Sequence, residues 1–590
     1  MLAGRAALEH PKLPYALGFL SALLILPALW GGFQLDDHFQ RFRLLGHGEP
    51  AIHLFEFYDG NSEHIQSLKD AGGLPWWAAE DLRHKSFRYL SVLSMQLDFA
   101  LWPERPGLMH LHSLVWLAAM VGMAAWLYRE TIGLGWVAGL AGLLFALEDA
   151  HAAPAAYLAN RNALIATCLG VASIACFVRA RRDGWRAGTL LGPGLLVLAL
   201  CAGEVALATY AYLGAWVLFV DRDRWPRRII ALLPHVGVGL GYVAIYAAFE
   251  FGSQGSGYYV EPLRNPTQFL SALWERAPVL MLGQWTVVPA DLALVSDPTR
   301  NAAASLQVYG LVTSAVLAVF MFGVLRREPI ARFWCMGMLL SLVPISATGP
   351  QNRLLFFVGL GAMGLLAMFV SALTAPADRG LARAWRWLSW IVVGVPMLVM
   401  HVLLAPLLGL LFLQSQSDSE KALSRALATV PNDSALAEQD LILVNPPEHT
   451  YTVGLIPAVR QIAGDPVPRR IRVLSVGASP VHVTRVDSHS LDLTIDYGLF
   501  STPISRYFRS SDLGFALGDR FEVADLEIEV RALTQSQGPR LLRYRFALPL
   551  EDPSIRWLIW SSSERIYVPW SPPPIGESQS FPASRGIFDS

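Results

Sequence analysis

Charge is scarce in this chain. Only 16% of its 590 residues are Asp, Glu, Lys or Arg, against about a quarter in ordinary soluble domains. Cysteine is scarcer still. The four present (Cys168, Cys176, Cys201, Cys335) all lie in apolar runs, without CxxC or metal-ligand spacing, which excludes a disulfide framework and reads them as small buried hydrophobes. The formal net charge of -1 leaves no global field to draw in nucleic acid. Internal repeats are not apparent. Apolar residues, by contrast, are plentiful: 53% of the chain is hydrophobic and the mean hydropathy is +0.39. This is the composition of a multi-span helical membrane protein.

The first apolar run, Leu13 to Trp30, is long enough to cross a bilayer, which takes about 20 residues. It lacks a small-residue cleavage site and reads as a retained helix. Further helices are expected near 107–128, 133–148, 157–178, 189–202, 204–220, 229–250, 304–325, 331–348, 354–374 and 386–413, making about eleven crossings. The stretch 189–220 reads either as one long tilted helix or, because both of its flanks are Arg-rich, as two short crossings that meet near Ala202–Gly203–Glu204. The Arg-rich connections (Arg179–Arg182, Arg222–Arg228, Arg326-Arg327, Arg379–Arg386) then all fall on one side. The positive-inside rule makes that side cytoplasmic, as is the N-terminus.

The opposite side receives loop 32–106, short loops at 149–156 and 349–352, loop 251–303 and everything after Gln414. Trp76-Trp77 is expected to anchor loop 32–106 at the membrane interface, and the segment from Pro266 to Trp285 to lie along the membrane. Four loop histidines (His38, His47, His53, His64) lack ligand spacing and read as solvated. From residue 436 the runs VHVTRVD, LDLTID, FEVADLEIEV and LLRYRFAL alternate in the strand period. The expected organisation is a membrane domain over 1–413, a linker over 414–435, a soluble β-rich (α+β) domain over 436–571 and a disordered tail over 572–590.

Several charged side chains are gathered at the non-cytoplasmic rim by topology. Asp36 and Asp37 leave the first span in LDDHFQR. Glu148, Asp149 and His151 end the third in ALEDAHA, and Arg161 begins the fourth in LANRNAL. Glu204 sits at the turn of the short hairpin, and Arg353 opens a late span in GPQNRLLFF. Charges beside membrane helices are costly and usually have partners or a function. A carboxylate can take a proton from a hydroxyl, arginines hold phosphate through two donors, and oxygen ligands suit Mg²⁺ or Mn²⁺.

These motifs resemble the GT-C superfamily of integral-membrane glycosyltransferases, among them the protein O-mannosyltransferases and the aminoarabinose transferases. The similarity runs over roughly residues 10–375. LDDHFQR resembles the family's first acidic motif, and FRYLSVLSMQLDFALW with MHLHSLVWL resembles the stretch entering the second span, with Arg88 and His112 at the matching positions. Tyr89 stands where the family has Pro. LEDAHA resembles the second acidic position and GPQNRLLFF the late Arg motif. The resemblance implies transfer of a sugar from a polyprenyl-phosphate donor to an unidentified acceptor at the outer face of a bacterial inner membrane. Asp37 or Asp36 would be the general base, and Glu148 and Asp149 acidic support or ligands of a divalent metal. Arg161, Arg353 and Arg88 would hold the donor phosphate, with Glu204, His112 and His151 as further candidates. No organic cofactor is implied. Two alternatives stand beside this: a transporter or flippase using Glu204 in a broken helix, and a non-catalytic membrane assembly protein.

Overall fold

The computed structural model describes residues 2–295, 302–375, 381–450, 453–501, 504–535 and 537–584; Arg379 lies outside them. Helices stand at every expected span, beginning with Leu13–Leu24 and its short continuation Leu26–Trp30. Among the described residues six helical stretches are long and apolar enough to cross a membrane: Pro106–Ile132, Leu158–Asp183, Trp225–Ala248, Ala302–Arg327, Phe356–Thr374 and Arg383–Ala428. At the other expected positions the helices are apolar but shorter. Helix starts follow local chemistry. Pro106, Pro226, Pro266 and Pro329 occupy the first turn of their helices, where a missing N–H costs nothing.

The stretch 189–220 breaks where expected. Helix Gly188–Ala202 ends at Gly203, and a short turn Glu204–Ala208 leads into Thr209–Phe219. Arg-rich connections meet at one end of the bundle. Arg182 bonds Glu130 at 2.5 Å, Arg181 bonds Asp221 at 2.8 Å and Asp223 at 2.7 Å, and Arg129 donates to Pro11 O at 2.7 Å.

Three elements depart from the sequence reading. Helix Tyr89–Leu101 lies inside the segment expected to be loop. Helix Pro266–Trp285 does not merely lie along a membrane: its second half is buried in the bundle. The linker expected over 414–435 is largely helix, since Ala405–Ala428 continues the last span. That last run contains two π-helical turns, Trp390–Gly394 and Met400–Leu404, each closely followed by a proline, Pro396 and Pro406, which has no N–H for the regular ladder.

The C-terminal domain has two sheets sharing one core. In the four-stranded sheet Ile566–Pro569, Ile555–Ser561, Asp440–Leu443 and Arg470–Val473 lie in that order. The last two are parallel, with helix Leu455–Ala463 on their crossover. The antiparallel sheet runs Ser578–Phe581, Val481–Arg485, Ser490–Ile495, Pro539–Phe546, Leu526–Leu533, Arg520–Val523. Strand Ser578–Phe581 corrects the expected disorder from 572, because it pairs with Val481–Thr484; residues 585–590 lie outside the described residues.

The expected interfacial role of Trp76-Trp77 is also corrected. Both rings are buried, 4% and 1% exposed, and belong to the C-terminal domain's core together with Ile65, Leu74 and Leu82. Trp76 meets Phe515, Phe521 and Tyr544, and Trp77 meets His449. Gly72 permits this docking. With φ +87° it lies where a side-chain Cβ would come within 2.1 Å of Ile471 O. A small antiparallel sheet, Glu56–Asp59, Arg83–Lys85 and Gly252–Gln254, ties loop 32–106 to the Gly-rich loop. The C-terminal segment Arg506–Ser510 is pinned to both by Ala79 N→Phe508 O (2.9 Å), Gly257 N→Arg506 O (2.9 Å) and Ser510 N→Gly255 O (2.7 Å).

Candidate active site

Asp36 and Asp37 open the helix Asp36–Leu44, where acidic residues suit the N-terminal end. Their surroundings differ sharply. Asp37 is 1% exposed, and both of its oxygens are engaged: Oδ2 accepts from Gln34 N at 3.0 Å and Oδ1 from Ala159 N at 2.7 Å. Burial pushes its carboxyl up to about 7 against the pull of those two donors. Asp36 is half-buried. Its backbone N–H donates to Tyr157 Oη at 3.0 Å, while its carboxylate makes no hydrogen bond or ion pair among the described residues.

The Gly-rich loop carries Tyr258 and Tyr259, and the Tyr259 phenol feels the charge of Asp36. Burial raises the Tyr259 phenol, Tyr258 adds to this, Arg353 and Arg88 lower it, and Asp36 raises it. One phenol thus senses the free acid and two arginines from distant parts of the chain. Its ring stacks on His84 at 4.3 Å and meets Tyr507 of the C-terminal domain at 5.8 Å. Tyr258 donates to Gln351 Oε1 at 3.2 Å, and Arg353 Nε donates to the same oxygen at 3.0 Å. Arg88 donates to Glu204 Oε2 at 2.8 Å, both about a quarter exposed.

The second acidic motif is tied to the late Arg motif by Asn352. Its side chain donates to Asp149 Oδ2 at 3.1 Å and accepts from Ala290 N at 2.9 Å, while its backbone N–H donates to Asp291 Oδ2 at 2.9 Å. Burial pushes Asp149 up to about 6, with Glu148 adding to it and Asn352 opposing. Asp291 is raised by burial too. Glu148 turns elsewhere. It accepts from Gln284 Nε2 at 3.0 Å and faces His401 Nδ1 at 2.9 Å, a contact not aligned as a hydrogen bond. His151 is sealed between Phe145 and Phe356. Among the described residues no group of three or more His, Cys, Asp or Glu side chains is placed to hold a metal ion. Glu148 and Asp149 point to separate partners, so these residues do not fit the expected divalent-metal site.

Arg161 and His112 lie behind the rim. Arg161 is 1% exposed, paired with Asp98, and donates to Ser113 Oγ at 2.8 Å and Met109 O at 2.7 Å. His112 bonds Asp98 at 2.7 Å. The structure therefore gathers Asp36, Arg88, Glu204 and Arg353 near Tyr259 and sets Arg161 inside the helices. The sequence reading missed Tyr258, Tyr259, Asp291, His401 and Asp98. Asp98 carried a usable signal, a lone acid in the apolar run SMQLDFALW. The tyrosines carried none, since the stretch around them reads only as flexible.

No family model matches the chain. In sequence it is similar to protein O-mannosyl-transferase TMTC2 of Mus musculus, 30% identical over 142 residues, and of Homo sapiens, 29% over 142 residues. The match spans 23% of this chain and only 17% of those relatives. Among solved structures it is similar to the Archaeoglobus fulgidus oligosaccharyltransferase tethered with an acceptor peptide, at 12% identity and a TM-score of 0.40, covering 78% of this chain and 64% of that one. ArnT from Cupriavidus metallidurans bound to undecaprenyl phosphate aligns at 11% identity and a TM-score of 0.36, covering 79% and 90%. The chain resembles the GT-C superfamily of membrane glycosyltransferases, in the segment matched to the O-mannosyl-transferases as in its own acidic and late Arg motifs.

Proposed function

We propose that this protein is a membrane glycosyltransferase that moves a sugar from a polyprenyl-phosphate donor to a hydroxyl acceptor. The observation that supports this best is the half-buried carboxylate of Asp36, without a hydrogen-bond or ion-pair partner among the described residues, whose charge is felt by the same phenol that senses Arg88 and Arg353. Asp36 is the general base of the pair. It takes the acceptor proton as the acceptor oxygen attacks the anomeric carbon and the bond to the lipid phosphate breaks. Arg353 and Arg88 steady the departing phosphate, Glu204 orients Arg88, and Asp37 fixes the loop that presents Asp36. Glu148 and Asp149 act as acidic support through His401 and Asn352, and no step is drawn through a metal.

The protein sits in a bacterial inner membrane with about eleven crossings, the N-terminus cytoplasmic and the site and C-terminal domain periplasmic. The Arg506–Ser510 segment walls the site on the acceptor side. A transport reading around Glu204 is less well supported, because Glu204 pairs with Arg88 at this rim and not with a group at mid-membrane.

The test uses membranes of a deletion strain supplied with extracted lipid-linked sugars. Asp36→Asn is expected to lower transfer by about 10²–10⁴-fold at unchanged protein level. Full transfer by that variant would remove the base, and a catalytically inert wild type with a scaffolding phenotype would favour the assembly reading.

A further inference from the structure

Behind the two aspartates lies a charge network that the proposed chemistry does not use. Arg161 and Asp98 are 1% and 0% exposed. A buried ion pair is weak evidence for stability, since desolvation offsets its attraction, so its presence here asks for another reason. The Arg161 donors reach Ser113 and Met109 on the helix Pro106–Ile132 and Asp98 on the helix Tyr89–Leu101. Asp98 holds His112 at 2.7 Å, and His112 Nε2 accepts from Trp116 Nε1 at 3.1 Å. One guanidinium thereby locks the start of its own helix to two others.

The residues immediately before Arg161 are the ones that grip the aspartates. Tyr157 Oη receives Asp36 N, and Ala159 N donates to Asp37 Oδ1. Tyr157 precedes and Ala159 lies within Leu158–Asn160, a single 3₁₀ turn, too short to hold its own geometry. A phosphate-binding arginine needs access and donors to spare; this one is sealed, with its three nitrogens all engaged.

We propose that the Arg161–Asp98 pair is a positioning device that clamps the Tyr157–Asn160 turn, so that Asp37 is immobilised and Asp36 is presented outward without a partner. This rests on Asp36 being the base, but its test does not use sugar transfer.

Full-length protein in lipid nanodiscs is treated with a carbodiimide and glycine ethyl ester. Labelling at Asp36 and Asp37 is read by mass spectrometry, with hydrogen exchange at the Ala159 amide. In the wild type Asp37 is expected to label about tenfold more slowly than Asp36, as its burial dictates. Arg161→Met leaves Asp98 uncompensated, so its thermal midpoint falls and Asp37 is exposed. The double variant Asp98→Leu/Arg161→Met removes both charges and regains thermal stability, yet Asp37 labelling stays about fivefold above wild type and the Ala159 amide exchanges faster. Wild-type labelling and exchange in a stable double variant would overturn the proposal, since the pair would then serve stability alone. Should the double variant not fold, Asp98→Asn decides, with Ser113→Ala beside it. Ser113→Ala leaves the Arg161–Asp98 pair in place and serves as the control with wild-type labelling. Asp98→Asn, which neutralises the pair but keeps an acceptor of the same shape, is expected to raise Asp37 labelling, and unchanged labelling in Asp98→Asn overturns the proposal equally. Failure of Asp36→Asn to affect transfer would strike the function and leave these labelling results standing.

Discussion

Asp37 titrates near neutrality because burial outweighs two backbone donors, and that makes its ionisation a load on the fold. The proton is held in the folded chain up to about pH 7, while an unfolded Asp releases it near 3.9. Between those values the native state binds the extra proton, so stability falls as pH rises through the window and levels off above it. Asp149, raised to about 6, adds a shorter slope of the same sign. The thermal midpoint of purified protein is therefore expected to drop between pH 5 and pH 8, with part of that drop absent in Asp37→Asn. A midpoint that rises over this range would mean that Asp37 is not sealed as described. The contrast between the neighbours also sharpens the sequence reading, which offered either acid as the base. The choice depends on Ala159 and Gln34 N–H groups that no local pattern announces.

Helices were legible wherever period and length agreed. A helix stands at each expected position, six of them long and apolar enough to cross a membrane among the described residues, and even the break at Gly203 was readable, because two Arg-rich flanks demanded the same side. Tyr89–Leu101 was not legible: at 13 residues it is too short for a span and sits among loop residues. The π turns were hidden as well, although Pro396 and Pro406 were in plain view, because a proline alone does not say whether a helix ends, kinks or widens. Each π turn inserts about one extra residue and so rotates the downstream helix by about 100°. His401 lies in the second, 2.9 Å from Glu148. Replacing Pro406 by Ala lets that stretch return to the regular ladder and rotates His401 out of phase with the chain beyond. A double-mutant cycle of Glu148→Gln and His401→Gln, read in thermal midpoints, is expected to show coupling in the wild-type background and none in Pro406→Ala.

The whole molecule is closed by contacts that join its beginning to its end. Strands of the C-terminal domain were readable from alternation, yet their relation to loop 32–106 was not, because Trp76 and Trp77 find their partners at His449, Phe515, Phe521 and Tyr544. A tryptophan pair flanking membrane spans reads as an interfacial anchor by composition alone, and only the tertiary fold moves it inside a soluble core. Trp77→Ala is expected to destabilise the C-terminal domain by about 3–5 kcal/mol. Protease cleavage should then appear both in loop 32–106 and in the segment 504–515. Cleavage confined to one of them would show that the two parts fold separately.

The tryptophan clasp also sets a timetable. Loop 32–106 leaves the ribosome hundreds of residues before the strands that receive it, and at about 5–20 residues per second its two indoles wait tens of seconds without a home. The clasp closes only after the strands around Tyr544 have been made, so a chain stalled before them inserts in the bilayer with both indoles still uncovered.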